Sequence, residues 1–292
     1  MKTLLCILTV GWLSAVPATA REAIVREIRK TFTVQPGGLL KVDMTGGDVR
    51  VMPSEGDEVR VLARQKVRAR NEAAADELVK KLELTMSQTG NEVIATAKYP
   101  EQKGLTITGI WPPVEVDFEI VVPTRFNVDL RTSGGDIVVG NLIGDVAAKT
   151  AGGDVVAGHI VGAVEVRTSG GDISLASATG AAVLSTSGGD IHAGRIDGGA
   201  ELLTSGGDIT AEAVAGRLLA RTSGGDIEVT VDRAAAFNLD ASTSGGEVES
   251  SGLSLVVAKG GNGKSKLVGT INSGGPELKL RTSGGDIDIR AR

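Results

Sequence analysis

Cysteine is almost absent from this chain. The single one, Cys6, lies in an apolar stretch close to the start, which leaves no disulfide framework, no cysteine-ligated zinc and no thiol chemistry for the rest. Aromatic residues are nearly as scarce, at 2%. Beyond the first twenty residues they come down to Trp111, Tyr99 and four phenylalanines, too few to line a sugar-stacking cleft. The two histidines, His159 and His192, stand in neither a Ser-His-Asp set nor a paired metal-ligand spacing. No polybasic run occurs, and the formal net charge of −5 argues against nucleic acid as a partner. After residue 20 there is no apolar run long enough to span a bilayer, which takes about 20 residues.

The first twenty residues themselves read as a secretory signal. Lys2 precedes an apolar stretch from Leu4 to Val16, followed by Pro17 and the small-residue site Ala18-Thr19-Ala20. Cleavage there predicts a mature chain beginning at Arg21. Loss of Lys2 moves the formal charge from −5 to −6. The expected product is exported, periplasmic or released, and does not span the membrane.

What the chain has in abundance is glycine, 41 residues, and it recurs at fixed phase. Six contiguous copies of an 18-residue unit open at Thr132, Thr150, Thr168, Thr186, Thr204 and Thr222, most with Thr-Ser-Gly-Gly-Asp-Ile. Related openings stand at Thr243 and Thr282. A short fixed period is the signature of a solenoid whose units pack only on their neighbours. Counting the Thr as position 1, apolar residues occupy positions 6, 8, 11, 15 and 17. The spacing of two within 6/8 and 15/17 is strand periodicity, with alternate side chains turned inward. Gly-Gly at positions 3 and 4 and Gly at position 13 separate the strands. A lone coil cannot fold, because ordering each backbone residue costs about 1–2 kcal/mol while each small inward side chain returns about 1.5–3 kcal/mol at most. Stacking at about 4.8 Å per coil joins the strands into continuous sheets over one core. The expected fold is all-β: a flattened or triangular parallel β-solenoid of 18-residue coils over 132–292. Many alanines at positions 8, 15 and 17 imply a narrow interior without room for a ligand. A hexapeptide left-handed helix shares the coil length but needs an aliphatic residue every six; position 12, with Thr179 and Asp197, fails that test.

Residues 21–131 read as a divergent beginning of the same fold. Leu39 to Val51, around Gly46-Gly47-Asp48, resembles a worn coil. A helical pattern over about 71–84, with Asn71 as its cap and Leu78, Val79 and Leu82 on one face, predicts a helix that covers the open end. Strands are expected again at Val93–Thr96 and Val114–Val122, with a loop at Trp111-Pro112-Pro113. At the far end, Gly260 to Lys264 reads as a loop, and Lys279 to Arg292 as charged strands that close the stack.

The leader, the Thr-Ser-Gly-Gly-Asp-Ile coils, the Val121-Val122-Pro123 lead-in and the segment from Gly274-Gly275-Pro276 to Ile289 together resemble the putative-adhesin family of bacterial exported β-strand repeat domains of unknown function. The resemblance covers roughly residues 30 to 292. It implies an exported cell-envelope β-solenoid and carries over no catalytic residues.

The sharpest chemical feature is the column Asp136, Asp154, Asp172, Asp190, Asp208 and Asp226 at position 5. Stacked carboxylates about 4.8 Å apart repel by about 0.9 kcal/mol in water, so something must offset them. The expectation is that each Asp accepts hydrogen bonds from its own Gly-Gly turn, with help from position-18 cations such as Arg131, Lys149, Arg167 and Arg221. The alternative is a calcium ladder. Calcium, however, takes six to eight oxygens, and the second turn brings no recurrent acid, only the isolated Asp145 and Asp197. No cofactor is expected, and no catalytic residue is assigned. The function these features support is a non-enzymatic envelope scaffold or adhesin-like binding surface, its partner an envelope component or cell-surface ligand. A calcium- or glycan-binding module on the Asp column is the runner-up, and a polysaccharide-active β-helix enzyme comes last because its cleft would need long loops that six uninterrupted coils do not have.

Overall fold

The structure is a computed structural model that describes residues 23–99 and 113–292. The signal segment 1–20, with Cys6, and the Trp111-Pro112 part of the expected loop lie outside the described residues.

Strand alternation produces strands, and the Gly-Gly and position-13 turns fold them into two parallel layers. In chain order the irregular beginning comprises β1 (Ile24–Thr33), β2 (Gly38–Met44), β3 (Val49–Ser54), β4 (Glu58–Val67), α1 (Glu72–Val79), β5 (Glu83–Thr89), β6 (Glu92–Lys98), β7 (Val114–Pro123) and β8 (Phe126–Arg131). Two 13-stranded sheets face each other. Sheet one takes the strands that follow the Gly-Gly-Asp turn, such as Ile173–Ala178, and sheet two those that precede the next turn, such as Ala182–Ser185. The regular coils contribute strands to both sheets, the first with two short ones, Ile137–Val139 and Leu142–Ile143, in sheet one. Successive coils pair in parallel with a register of 18, for example Ile173↔Ile191 and Leu184↔Leu202. Positions 6, 8, 11, 15 and 17 are buried in the first five copies, as in Ile173, Leu175, Ala178, Ala182 and Leu184, whereas the sixth keeps only Ile227 and Val229 of that set inside.

The order of coils in space departs from their order in sequence at both ends. The coil β2–β3 lies between β6–β7 and the first regular coil, since β2 pairs β6 and β8 while β3 pairs β7 and Ile137–Val139. At the other end the last coil, Glu277–Arg281 with Ile287–Ala291, does not close the stack as expected. It is inserted between the sixth repeat and the Thr243 unit, with Ile287 flanked by Ile227 and Val248, and Leu278 by Leu218 and Leu239. The physical reason lies in the inward positions. The Thr282 unit offers Ile287 and Ile289, both buried, and can be covered on both sides. The Thr243 unit offers Val248 and the exposed Ser250, a polar residue suited only to the end. Beyond it, the antiparallel strands Lys266–Ile271 and Leu255–Gly263 finish sheet two.

The helix is also shorter than its apolar pattern suggested. Asn71 does cap it, its Oδ1 accepting from the Ala74 amide at 2.9 Å. The helix stops at Val79, because Leu82 and Leu84 obey a period of two and lead into β5. Since α1 joins β4 of sheet one to β5 of sheet two, it crosses between the layers, with Ala75 buried and Leu78 and Val79 against the core. Edge strand β1 helps to close this end with inward charges: Arg26 pairs with Glu72 and Asp76 of α1 at 2.7 Å, and Lys30 Nζ donates to the Met86 carbonyl at 2.7 Å. Charged residues on an edge strand block pairing with other chains.

Candidate functional site

Every Gly-Gly turn on one long edge of the solenoid is built by its neighbours. Each threonine hydroxyl at position 1 is turned inward and donates to the position-4 glycine carbonyl of the neighbouring coil, and from Thr150 onward it also accepts from its own position-4 amide. Thr168 Oγ1 lies 2.9 Å from the Gly153 oxygen and 3.4 Å from the Gly171 nitrogen. The position-4 glycines are needed for this approach rather than for an unusual φ. A Cβ on Gly171 would stand 2.1 Å from the Gly153 oxygen, whereas one on Gly170 would meet nothing nearer than the Gly152 oxygen at 3.4 Å.

The Asp column sits on this edge, but its hydrogen bonds run between coils rather than within each turn. Asp154, Asp172, Asp190, Asp208 and Asp226 each donate their backbone N–H to Oδ1 of the aspartate one coil before, at 2.7–2.9 Å. The chain of bonds continues past the regular repeats: Asp48 donates to Asp117 at 3.2 Å and Asp136 to Asp48 at 3.0 Å. Beyond Asp226, Asp286 donates to it at 2.7 Å and Glu247 to Asp286 at 2.8 Å. The ladder therefore follows spatial order through both interleaved ends. Each carboxylate is held by an amide dipole, which offsets the repulsion between neighbours. Lysines stand at the two ends, Lys66 on Asp117 at 2.6 Å and Lys264 on Glu247 at 3.2 Å. The bond to Asp117 raises the Lys66 ammonium above its ordinary pKa, against the opposing pull of partial burial.

The position-18 cations take no part in the ladder. Arg131 pairs with Asp129 at 3.2 Å and Arg167 with Glu165 at 3.0 Å, each two residues back on its own strand, and Arg281 pairs with Asp240. Position 18 faces outward from sheet two, away from the Gly-Gly-Asp edge. No group of three or more His, Cys, Asp or Glu side chains gathers to hold a metal among the described residues. Each ladder aspartate already uses one oxygen, leaving a single-file row instead of the six to eight oxygens calcium seeks. Asp145 repeats the ladder device at the second turn, accepting from Ala163 at 2.8 Å, and Asp197 pairs with Arg195 at 2.7 Å. The spacing of 18 between Asn127 and Asp145 could have revealed that second ladder, since Asn127 Oδ1 accepts from Asp145 at 2.9 Å.

One contact that the sequence did not suggest joins His159 Nδ1 to Ser177 Oγ at 2.9 Å, because positions 10 of adjacent coils are in register. Both lie on an open strand surface, and among the described residues no carboxylate orients the imidazole. His192 lies at position 7, flanked by Ser174 and Thr210.

The outer face of sheet two is the other candidate. Positions 16 and 18 form two outward rows along it, mixing the ion pairs Arg131–Asp129 and Arg167–Glu165 with half-buried Val183, Leu203 and Leu219. Within this face a shallow notch of about 280 Å³ opens over Ala147, walled by Asp129, Arg131, Lys149, Glu165 and Arg167. No helix among the described residues is long and apolar enough to cross a membrane.

A family model, Toastrack DUF4097, matches residues 39–290. Among curated proteins no match is found. Solved structures similar to this chain include a putative adhesin from Bacteroides fragilis, at 16% identity and a TM-score of 0.49, covering 90% of this chain and 97% of that one. Another putative adhesin, from Parabacteroides distasonis, is 15% identical with a TM-score of 0.39, over 91% and 97% of the two chains. A putative lipid binding protein from the same organism is 14% identical with a TM-score of 0.40, over 90% and 96%.

Proposed function

Since the chain belongs to the Toastrack DUF4097 family, we propose that it works without catalysis, as an exported envelope scaffold whose sheet-two face binds an adhesion-type ligand. The observation that supports this most directly is the regularity of that face: thirteen strands in one sheet, with the regular coils joined only by tight turns. A surface of this kind is rigid, extended and repetitive, and suits a ligand that is itself extended. Sheet one is less suited, because its outer border carries the acidic ladder. The export signal read in residues 1–20 supplies the compartment in which such a surface would meet its ligand.

The test is saturable binding of the labelled, purified chain to whole bacteria and to isolated envelopes. A variant with Val183, Glu201, Leu219 and Arg221 changed to serine should lose most of the binding while melting as a cooperative unit. Its counterpart, with Ser174, Thr210 and Glu228 of sheet one changed to alanine, should retain it. Equal binding by both variants, or no saturable binding of the unaltered chain, would overturn the assignment.

A further inference from the structure

Two strands of sheet two follow a local rule in which an acid at position 16 neutralises a cation at position 18 of the same strand. Asp129 serves Arg131 through two hydrogen bonds, Nε to Oδ1 and Nη2 to Oδ2, both 3.2 Å, and Glu165 serves Arg167 at 3.0 Å. The strand between them breaks the rule. It carries Ala147 beside Lys149, in register with both neighbours, Ala147 with Asp129 and Glu165, and Lys149 with Arg131 and Arg167. Lys149 is exposed and has no ion pair among those of the described residues. Adjacent strands lie about 4.8 Å apart, so this ammonium stands between two guanidinium groups with its own counter-charge missing. Where the missing acid side chain would project, the structure has the open notch of about 280 Å³ over Ala147. Arg221 also lacks an acid two residues back, but Leu219 fills the corresponding space, and the shallow depression nearby is lined by Val183, Glu201 and Arg217 without Arg221.

We propose that this notch is an anion-binding subsite that takes the carboxylate of an acidic sugar, the ligand's carboxylate occupying the place of the absent position-16 acid and pairing with Lys149. The proposal rests on the reading of sheet two as a binding surface and names the ligand class of one site on it. Two features favour a carboxylated glycan over other polyanions. The notch is flanked by the carboxylates of Asp129 and Glu165, which accept hydrogen bonds from sugar hydroxyls on either side of the bound acid, donors that an acidic peptide or a polyphosphate does not offer. A net charge of −5 further disfavours polyanions more densely charged than one acid per sugar ring, such as polyphosphate. The open site admits one ring at a time and offers no aromatic face, so a single subsite binds weakly and gains strength only from repetition along a polysaccharide.

The experiment uses the full purified chain and trigalacturonate as the carboxylated probe, followed by backbone amide NMR shifts, with maltotriose and tetraglutamate as comparators. The largest shifts are expected at Ala147 to Lys149 with trigalacturonate, and none there with maltotriose. Lys149→Gln should weaken binding at least about tenfold, and so should Ala147→Glu, which supplies the missing acid internally. Arg195→Gln, on sheet one, should leave it unchanged. Ala147→Glu should melt no lower than the unaltered chain, which separates loss of binding from loss of fold. Raising the salt to about 0.5 M should also weaken binding, since the pair is exposed. Trigalacturonate shifts that fall elsewhere on sheet two and survive Lys149→Gln overturn the notch and leave the broader face assignment standing. Absence of shifts, or equal binding of tetraglutamate at Lys149, overturns the glycan proposal while the envelope-binding experiment judges the face independently.

Discussion

At the scale of single residues, Asp172 shows how one side chain serves two coils. It passes its own N–H to Asp154 and takes the N–H of Asp190 on Oδ1. Asparagine retains an acceptor oxygen at the same place and removes the charge, so Asp172→Asn should melt at or above the temperature of the unaltered chain. Asp172→Ala leaves the Asp190 amide unpaired and should cost about 1 kcal/mol. Chemical denaturation of both variants checks this; an Asn variant as weak as the Ala variant would mean that charge, not acceptance, is what the column supplies. The glycine pair provides a sharper contrast. Gly171→Ala drives a Cβ into the Gly153 carbonyl, and its cost is expected to reach about 3 kcal/mol, while Gly170→Ala should cost about 1 kcal/mol or less. Reversal of that order in thermal melts would refute the stacking role of position 4. The columns themselves were legible in the sequence, because their period is fixed. Their partners were not, since an Asp beside Gly-Gly can serve its own turn or the next, and only the turn geometry decides between them.

At the scale of elements, the period-two pattern was enough to identify strands, inward faces and the parallel register of the regular coils. It marks strands before and after α1, within Leu39–Val51 and at Val93–Thr96, but not β4 and β5 that flank the helix directly, where the spacing of Leu82 to Leu84 is that of a strand. The insertion of the last coil was harder to see, because near-identical units are interchangeable as neighbours. The clue was Ser250, an inward polar position that suits a terminal coil. The consequence is testable by comparing two deletions. Removing one regular coil, residues 168–185, brings together complementary neighbours and should leave a folded, slightly less stable protein. Removing the last coil, residues 274–292, opens a gap between Ile227–Val231 and Val248–Ser251 and breaks the ladder at Asp286. That truncation should expose the segment after residue 232 to limited proteolysis even though it deletes about as many residues. Equal protease resistance of the two deletions would contradict the insertion.

For the whole molecule, thirteen strands at about 4.8 Å make a rod roughly 58 Å long, with antiparallel strands at both ends and α1 at one of them. With no gathered metal-ligand cluster among the described residues, melting followed by β-sheet circular dichroism should be the same in millimolar chelator and in millimolar calcium. An upward shift with calcium would turn the Asp column into a ligand row through binding linkage. The parallel solenoid could be inferred from the repeat alone, but not the interleaving of coils at its two ends. The notch at Lys149 could not, because a missing carboxylate matters only once the strands on either side are known to be in register.

The place of the last coil also governs how the protein bears load. In a simple stack the final turn is held on one side only and can be peeled away strand by strand under modest tension. Here a pull on Arg292 acts on Ile287–Ala291, which is bonded to a neighbour on each side and anchored by the Arg292 pairs with the Val231 carbonyl and Asp232. Tension along the strand must shear two rows of hydrogen bonds together instead of opening them in succession. A chain tethered by that terminus would resist drag as a fastened plug does, without a disulfide to lock it.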